Sequence, residues 1–270
     1  MTSFRSLSVS LFAVACCAAC SSDDSSETKL ASKKPAKPDA AAPPETDKTV
    51  LDLSDVKSNP DAYEWFDFRP NVKKLILAGA AETEHVAILW YTVTDGGVAL
   101  HYHGKTESVY VIDGTQTDAK GSYPTGTVYF NPPGSGHQIT NSSGFFLLAY
   151  AAPPDFMSTD LIEEYTPIRI DTDASDLTSA HPFEQKPKGV KTFAPELVEA
   201  GGMSARFIEL ASSKSYTFDG NYLTVLAGSC EVDGAKYGED MLVVTRTVEP
   251  EAFRVRAPKG SSCLALSVSF

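Results

Sequence analysis

From residue 50 onward the chain consists of short β-prone runs closed by turn residues, and these runs occur twice in the same order. Residues 86–93 are rich in β-branched and aromatic side chains and end at Asp95-Gly96-Gly97, a turn signal. Residues 108–112 form a second run closed by Asp113-Gly114, and residues 127–130 and 145–150 continue the series. In the second half, residues 205–210 fall where 86–91 fell, 223–228 match 109–114, and 263–267 close the half as 146–150 closed the first. Helical periodicity is confined to a stretch around residues 158–164. Strands of this length, paired through tight turns, fold most readily into closed or sandwich-like sheets that leave few edges exposed. The expected fold is all-β, with two tandem barrels over residues 49–155 and 156–270.

Residues 1–19 carry one charge, Arg5, before an apolar stretch too short to span a bilayer of about 30 Å. The segment fits an export signal. Cys17-Ala18-Ala19-Cys20, followed by Ser21-Ser22-Asp23-Asp24, resembles a bacterial lipobox. That resemblance implies cleavage before Cys20 and lipid on its thiol. The expected location is therefore the bacterial cell envelope, with the protein anchored to a membrane (the outer one) and facing the periplasm or the surface. After Cys20, the segment up to residue 48 has no aromatic residue, and Leu30 is its one large aliphatic side chain. It cannot bury enough apolar surface to offset the entropy of ordering, and is read as a disordered linker able to reach roughly 90 Å at about 3.3 Å per residue.

The chain has 35 acidic against 23 basic residues and a formal net charge of -12. Such a balance offers no clustered cations to grip phosphates, which excludes nucleic acid as the expected partner.

With 5 histidines in the chain, the spacing of three of them is informative. His101 and His103 are two apart and share one face of a strand, since strand side chains alternate. Glu107 follows after a turn at Gly104-Lys105-Thr106, then Gly114, giving HxHxxxExxxxxxG. Further on stand Gly126, Pro132-Pro133-Gly134, His137 and Asn141. In these residues the chain resembles the cupin superfamily: His101, His103, Glu107 and Gly114 match its first motif, and Gly126, Pro132, Gly134, His137 and Asn141 its second. The resemblance covers roughly residues 50–155. It implies a double-stranded β-helix (jelly-roll) barrel and a metal held by His101, His103, Glu107 and His137. Three imidazoles and one carboxylate suit one divalent transition metal such as Fe, Mn, Ni, Zn or Cu. His85 and His181 lie outside both motifs and are expected on the surface or in loops.

The second half lacks these ligands. Counting back from Gly228 as from Gly114 puts Ser215, Thr217 and Asn221 at the places of His101, His103 and Glu107, and counting forward from Gly238 puts Glu249 at that of His137. This half reads as a degenerate cupin barrel, so one metal per chain is expected. Cys230 and Cys263 are the candidates for a disulfide, which would close a loop of about 34 residues and contribute roughly 3 to 4 kcal/mol.

The resemblance implies a metalloenzyme, oxidoreductase or dioxygenase-like in type or else a decarboxylase or isomerase, acting on a small oxygen-rich molecule. The alternative is a non-catalytic cupin module that binds or senses a small ligand. Expected partners are that small molecule and, through lipid on Cys20, a membrane. Cupins often pair barrels, which leaves a homodimer open. No catalytic acid or base is assigned from the sequence.

Overall fold

A computed structural model describes residues 48–157 and 164–270. Cys20, the export signal and the linker up to residue 47 lie outside the described residues, as does most of the expected helix around 158–164. The helices among the described residues are elsewhere, chiefly Leu53–Ser58 and Ala174–Ala180. None is long and apolar enough to cross a membrane.

The alternating runs pair into one 8-stranded and one 10-stranded sheet, antiparallel in every pairing. The 8-stranded sheet is organised around three long strands, His85–Tyr102, Glu107–Asp118 and Gly136–Tyr150, the last pairing with both others. Two expected turns are not turns. Asp95-Gly96-Gly97 and Asp113-Gly114 lie inside continuous strands, at register shifts that bend the sheet without ending it. Gly114 shows why glycine is needed: φ is 82°, and a Cβ there would overlap the carbonyl oxygen of Ser143 on the neighbouring strand.

Strand exchange ties the two sheets together. Lys48–Asp52, the first strand among the described residues, pairs with Met241–Thr245 of the 10-stranded sheet. Ile168–Asp171, beyond residue 155, pairs with Thr127–Asn131 of the 8-stranded sheet. Helix Leu53–Ser58 starts because Asp52 accepts from the backbone N–H groups of Ser54 and Asp55, and it buries Leu53 and Val56 completely. Those two residues join Tyr110, Phe130 and Leu147 from one sheet and Phe207, Tyr222 and Leu266 from the other in a single apolar cluster. Each sheet also encloses a cluster of its own: Leu89, Tyr91, Val109, Val111, Tyr129 and Phe146 in the first barrel, and Ile208, Phe218, Val225, Phe253 and the two cysteines in the second.

Cys230 and Cys263 are joined as a disulfide, with Cα atoms 5.0 Å apart and both side chains fully buried. The places counted for ligands in this second barrel do not face its interior. Ser215, Thr217 and Glu249 are exposed, because Tyr216 and Phe218 hold the inward parity on Ser215–Gly220. Asn221 is buried, but its amide is committed to the Val248 carbonyl at 2.6 Å and the Phe270 N–H at 2.8 Å. Phe218 is paired in register with Phe253, their rings stacked 5.7 Å apart.

Candidate metal centre

The first barrel gathers its three motif histidines on the inward faces of adjoining strands. His101 lies directly opposite His137 in the register of His85–Tyr102 and Gly136–Tyr150. Tyr102 is only half-buried whereas His101 and His103 are buried, as alternation requires. One ligating atom from each of His101, His103 and His137 lies within 4.8 Å of the others. Among the described residues, this is the one such cluster of metal-ligating side chains.

Glu107 opens the next strand and directs its Oε2 at this group, 3.3 Å from His103 Nε2 and 3.6 Å from His137 Nε2. The second-motif residues act through the backbone. In the Pro132-Pro133-Gly134-Ser135 turn, the Gly134 N–H donates to the His103 carbonyl at 2.8 Å, and the His103 N–H donates to the Ser135 carbonyl at 2.8 Å. The Ser135 N–H closes the turn on the Pro132 carbonyl. The turn thus fixes the backbone of His103. Gly126, at φ 81°, accepts from both the N–H and the hydroxyl of Thr172, which secures the exchanged strand. Asn141 is exposed, at φ 49°, and shapes the bend in its strand without touching the histidines.

Two of the three imidazoles have their tautomer set by a partner on the far nitrogen. His101 Nδ1–H donates to the Ala99 carbonyl at 2.8 Å, and His137 Nδ1–H donates to Asp118 Oδ2 at 2.9 Å. Each then presents an unprotonated Nε2 inward, the arrangement found where histidine ligates a metal. His103 Nε2 stands 3.1 Å from His137 Nε2. With His103 also unprotonated at Nε2, three nitrogen lone pairs and a carboxylate oxygen this close in a buried pocket would repel one another, and a positive centre among them would relieve that repulsion. Ligands about 2.1 Å from an ion, at right angles, are themselves about 3.0 Å apart, so the spacing fits a divalent cation. Burial, reinforced by His103 and His137, pushes His101 down to about 3, and burial reinforced by His137 pushes His103 well below the usual imidazole range. These groups therefore stay neutral, as ligands must be.

Around this group stand residues that sequence reasoning missed. Asn131 Nδ2 donates to Glu107 Oε2 at 2.8 Å, and Tyr150 also bonds to Glu107. Burial, then the charge of Glu107, raises Tyr150 well above the usual phenol range, so it remains a donor. His85 was expected at the surface and is instead fully buried, because Val86 and Ile88 take the opposite face of its strand. Its Nδ1–H donates to the Thr83 carbonyl at 2.7 Å, leaving Nε2 to accept from the buried Lys74 Nζ at 3.2 Å. The Lys74 ammonium also faces the rings of Phe68 at 4.1 Å and Tyr150 at 4.9 Å. Burial lowers Lys74 to about 8 and His85 to about 4. His181 is half-exposed and stacks on Phe193.

Residues 53–152 match the ChrR cupin-like domain family. A protein of Nostoc punctiforme whose name proposes a dioxygenase superposes with a TM-score of 0.54 at 11% identity, covering 84% of this chain and 83% of its own. A cupin 2 conserved barrel domain protein from Leptotrichia buccalis gives 0.53 at 8% identity, covering 82% and 95%. The fold is that of the cupins. No curated protein matches the chain. The cupin-like segment contains all nine motif residues and the buried histidine cluster. It stops short of Phe156, which closes the mouth of the same barrel with its ring 5.2 Å from that of His101.

Proposed function

We propose that the chain is a metal-dependent cupin, oxidoreductase or dioxygenase-like in type, that handles a small oxygen-rich molecule at His101, His103, Glu107 and His137. The observation that carries this reading is the convergence in one buried space of three imidazoles, two of them aimed inward by a partner on Nδ1, and the Glu107 carboxylate. A divalent ion held there supplies Lewis-acid or redox chemistry. The protein's own part is positional. Asp118 and Ala99 aim two imidazoles, Asn131 and Tyr150 hold Glu107, and the Pro132–Ser135 turn holds His103. Aromatic and aliphatic walls exclude bulk water, which strengthens each of these electrostatic contacts. In this reading the second barrel is a degenerate repeat, filled by Phe218, Phe253 and the disulfide, and lipid on Cys20 tethers the whole to the cell envelope.

Elemental analysis of protein exported to its native compartment tests the proposal. It should give one equivalent of a transition metal per chain, lost in His137→Ala. Two equivalents, or one that survives that substitution, would overturn it. Dioxygen-consumption screening of small oxygen-rich molecules would then address the reaction. A second reading, a non-catalytic binding or sensing module, is favoured by the size of the cavity beside the histidines. At about 10 Å³ it has room for roughly one water.

A further inference from the structure

The cavity next to the histidines is bounded outside by Phe156 and Phe68 and inside by Tyr91 and Gln116, with His101 and His137 on its wall. Phe156 is held from three sides. Its ring lies 5.2 Å from that of His101 and meets Phe68 edge-on at 6.2 Å, and the Arg69 guanidinium stacks on it at 3.9 Å. Arg69 is itself anchored by donating to the Phe68 carbonyl at 2.7 Å. The backbone carrying the ring is pinned as well: Tyr102 and Asp155 exchange a pair of hydrogen bonds at 2.8 and 2.9 Å.

Within the cavity, Tyr91 and Gln116 are each 3% exposed, yet Tyr91 Oη and Gln116 Oε1 have no hydrogen-bond partner among the described residues. A buried polar atom left unpaired costs about 1–3 kcal/mol, and two of them facing one small polar space indicate a ligand that pairs with them. Burial keeps Tyr91 protonated, so its O–H is a donor.

We infer that Phe156 is a specificity-determining residue: it restricts the ligand that reaches the histidine centre to a few heavy atoms, and Tyr91 donates a hydrogen bond to that ligand. The ligand class is a small oxygen species or a linear anion of similar size. An organic acid is shut out as long as the Phe156 ring is in place. This deepens the metal-dependent reading and rests on it.

The test uses full-length protein loaded with cobalt(II), its visible absorption recorded while azide or oxalate is added. In the wild type, azide should perturb the spectrum and oxalate should not. Phe156→Ala should admit oxalate at least about tenfold more tightly than the wild type, a difference of about 1.4 kcal/mol. Phe156→Leu, which keeps an apolar wall, should fall between the two and carries the test if the alanine variant does not fold. Tyr91→Phe should weaken azide binding several-fold at unchanged cobalt content. Oxalate binding equally to wild type and both Phe156 variants, or excluded from all three, would overturn the inference while leaving the metal site standing. Protein that takes up no cobalt would overturn both.

Discussion

Asp118 holds His137 by its Oδ2 and caps a turn by its Oδ1, which accepts from the Lys120 and Gly121 N–H groups. Asp118→Asn keeps the turn but removes the charge behind the imidazole, so it should weaken metal binding by about tenfold or somewhat more without unfolding the barrel. Competition with a chromogenic chelator measures this, and unchanged affinity would mean that Asp118 does not act through His137. Lys74 makes a different kind of prediction. Its amine is pushed down to about 8 when folded, mainly by burial, against about 10.4 in an unfolded chain. Between those values the unfolded chain holds a proton that the folded protein has lost, so stability should rise with pH by up to roughly 3 kcal/mol. Urea unfolding at pH 7.5 and at pH 9.5 should show the rise in the wild type and its absence in Lys74→Met. The motif residues His101, His103, Glu107 and His137 were legible because their spacing is local to strand ends. Asp118 and Gln116 were not. The register shift between Val111 and Asp113 reverses strand parity, so residues that simple alternation places on the outer face turn inward.

Among the elements, the β-runs of the sequence are the strands of the fold, but their limits follow tertiary pairing more than turn residues. Glycine within Asp95-Gly96-Gly97 and Asp113-Gly114 supplies freedom for a bulge as readily as for a turn, and only the neighbouring strand decides which. The exchange of Lys48–Asp52 into the far sheet left no local trace either, since partner choice over nearly two hundred residues is not a property of five. The helix that follows is six residues long, too short to persist unaided, and stands because Leu53 and Val56 are packed between the sheets. Leu53→Ala should therefore destabilise the protein by about 2–5 kcal/mol, the range for a fully buried leucine. Chemical denaturation reads this directly. A loss below about 1 kcal/mol would show that the helix is a surface appendage, since exposed substitutions rarely exceed that.

At the scale of the whole molecule, the apolar cluster shared by Tyr110, Phe130 and Leu147 with Phe207, Tyr222 and Leu266 makes the barrels mutually dependent. The described residues form one compact unit, and each sheet holds a strand drawn from the chain segment beside the other. Separating the barrels would expose that cluster and strip an edge strand from each, so the two should unfold in one cooperative transition. The protein carries separate reporters for the two ends. Both tryptophans lie on the first barrel, Trp90 stacked on Phe145 and Trp65 tilted against the two, whereas the Cys230–Cys263 disulfide is buried in the second. Tryptophan fluorescence and the onset of disulfide reduction should give the same denaturation midpoint. Metal held at His101, His103, Glu107 and His137 stabilises only the folded state, by about 2.7 kcal/mol when free metal is a hundredfold above Kd. Because the transition is shared, metal should shift both midpoints equally, protecting a disulfide in a barrel that holds none of these four residues. If metal moves the tryptophan transition and leaves reduction of the disulfide where it was, the barrels are independent and the common cluster contributes little to holding them together.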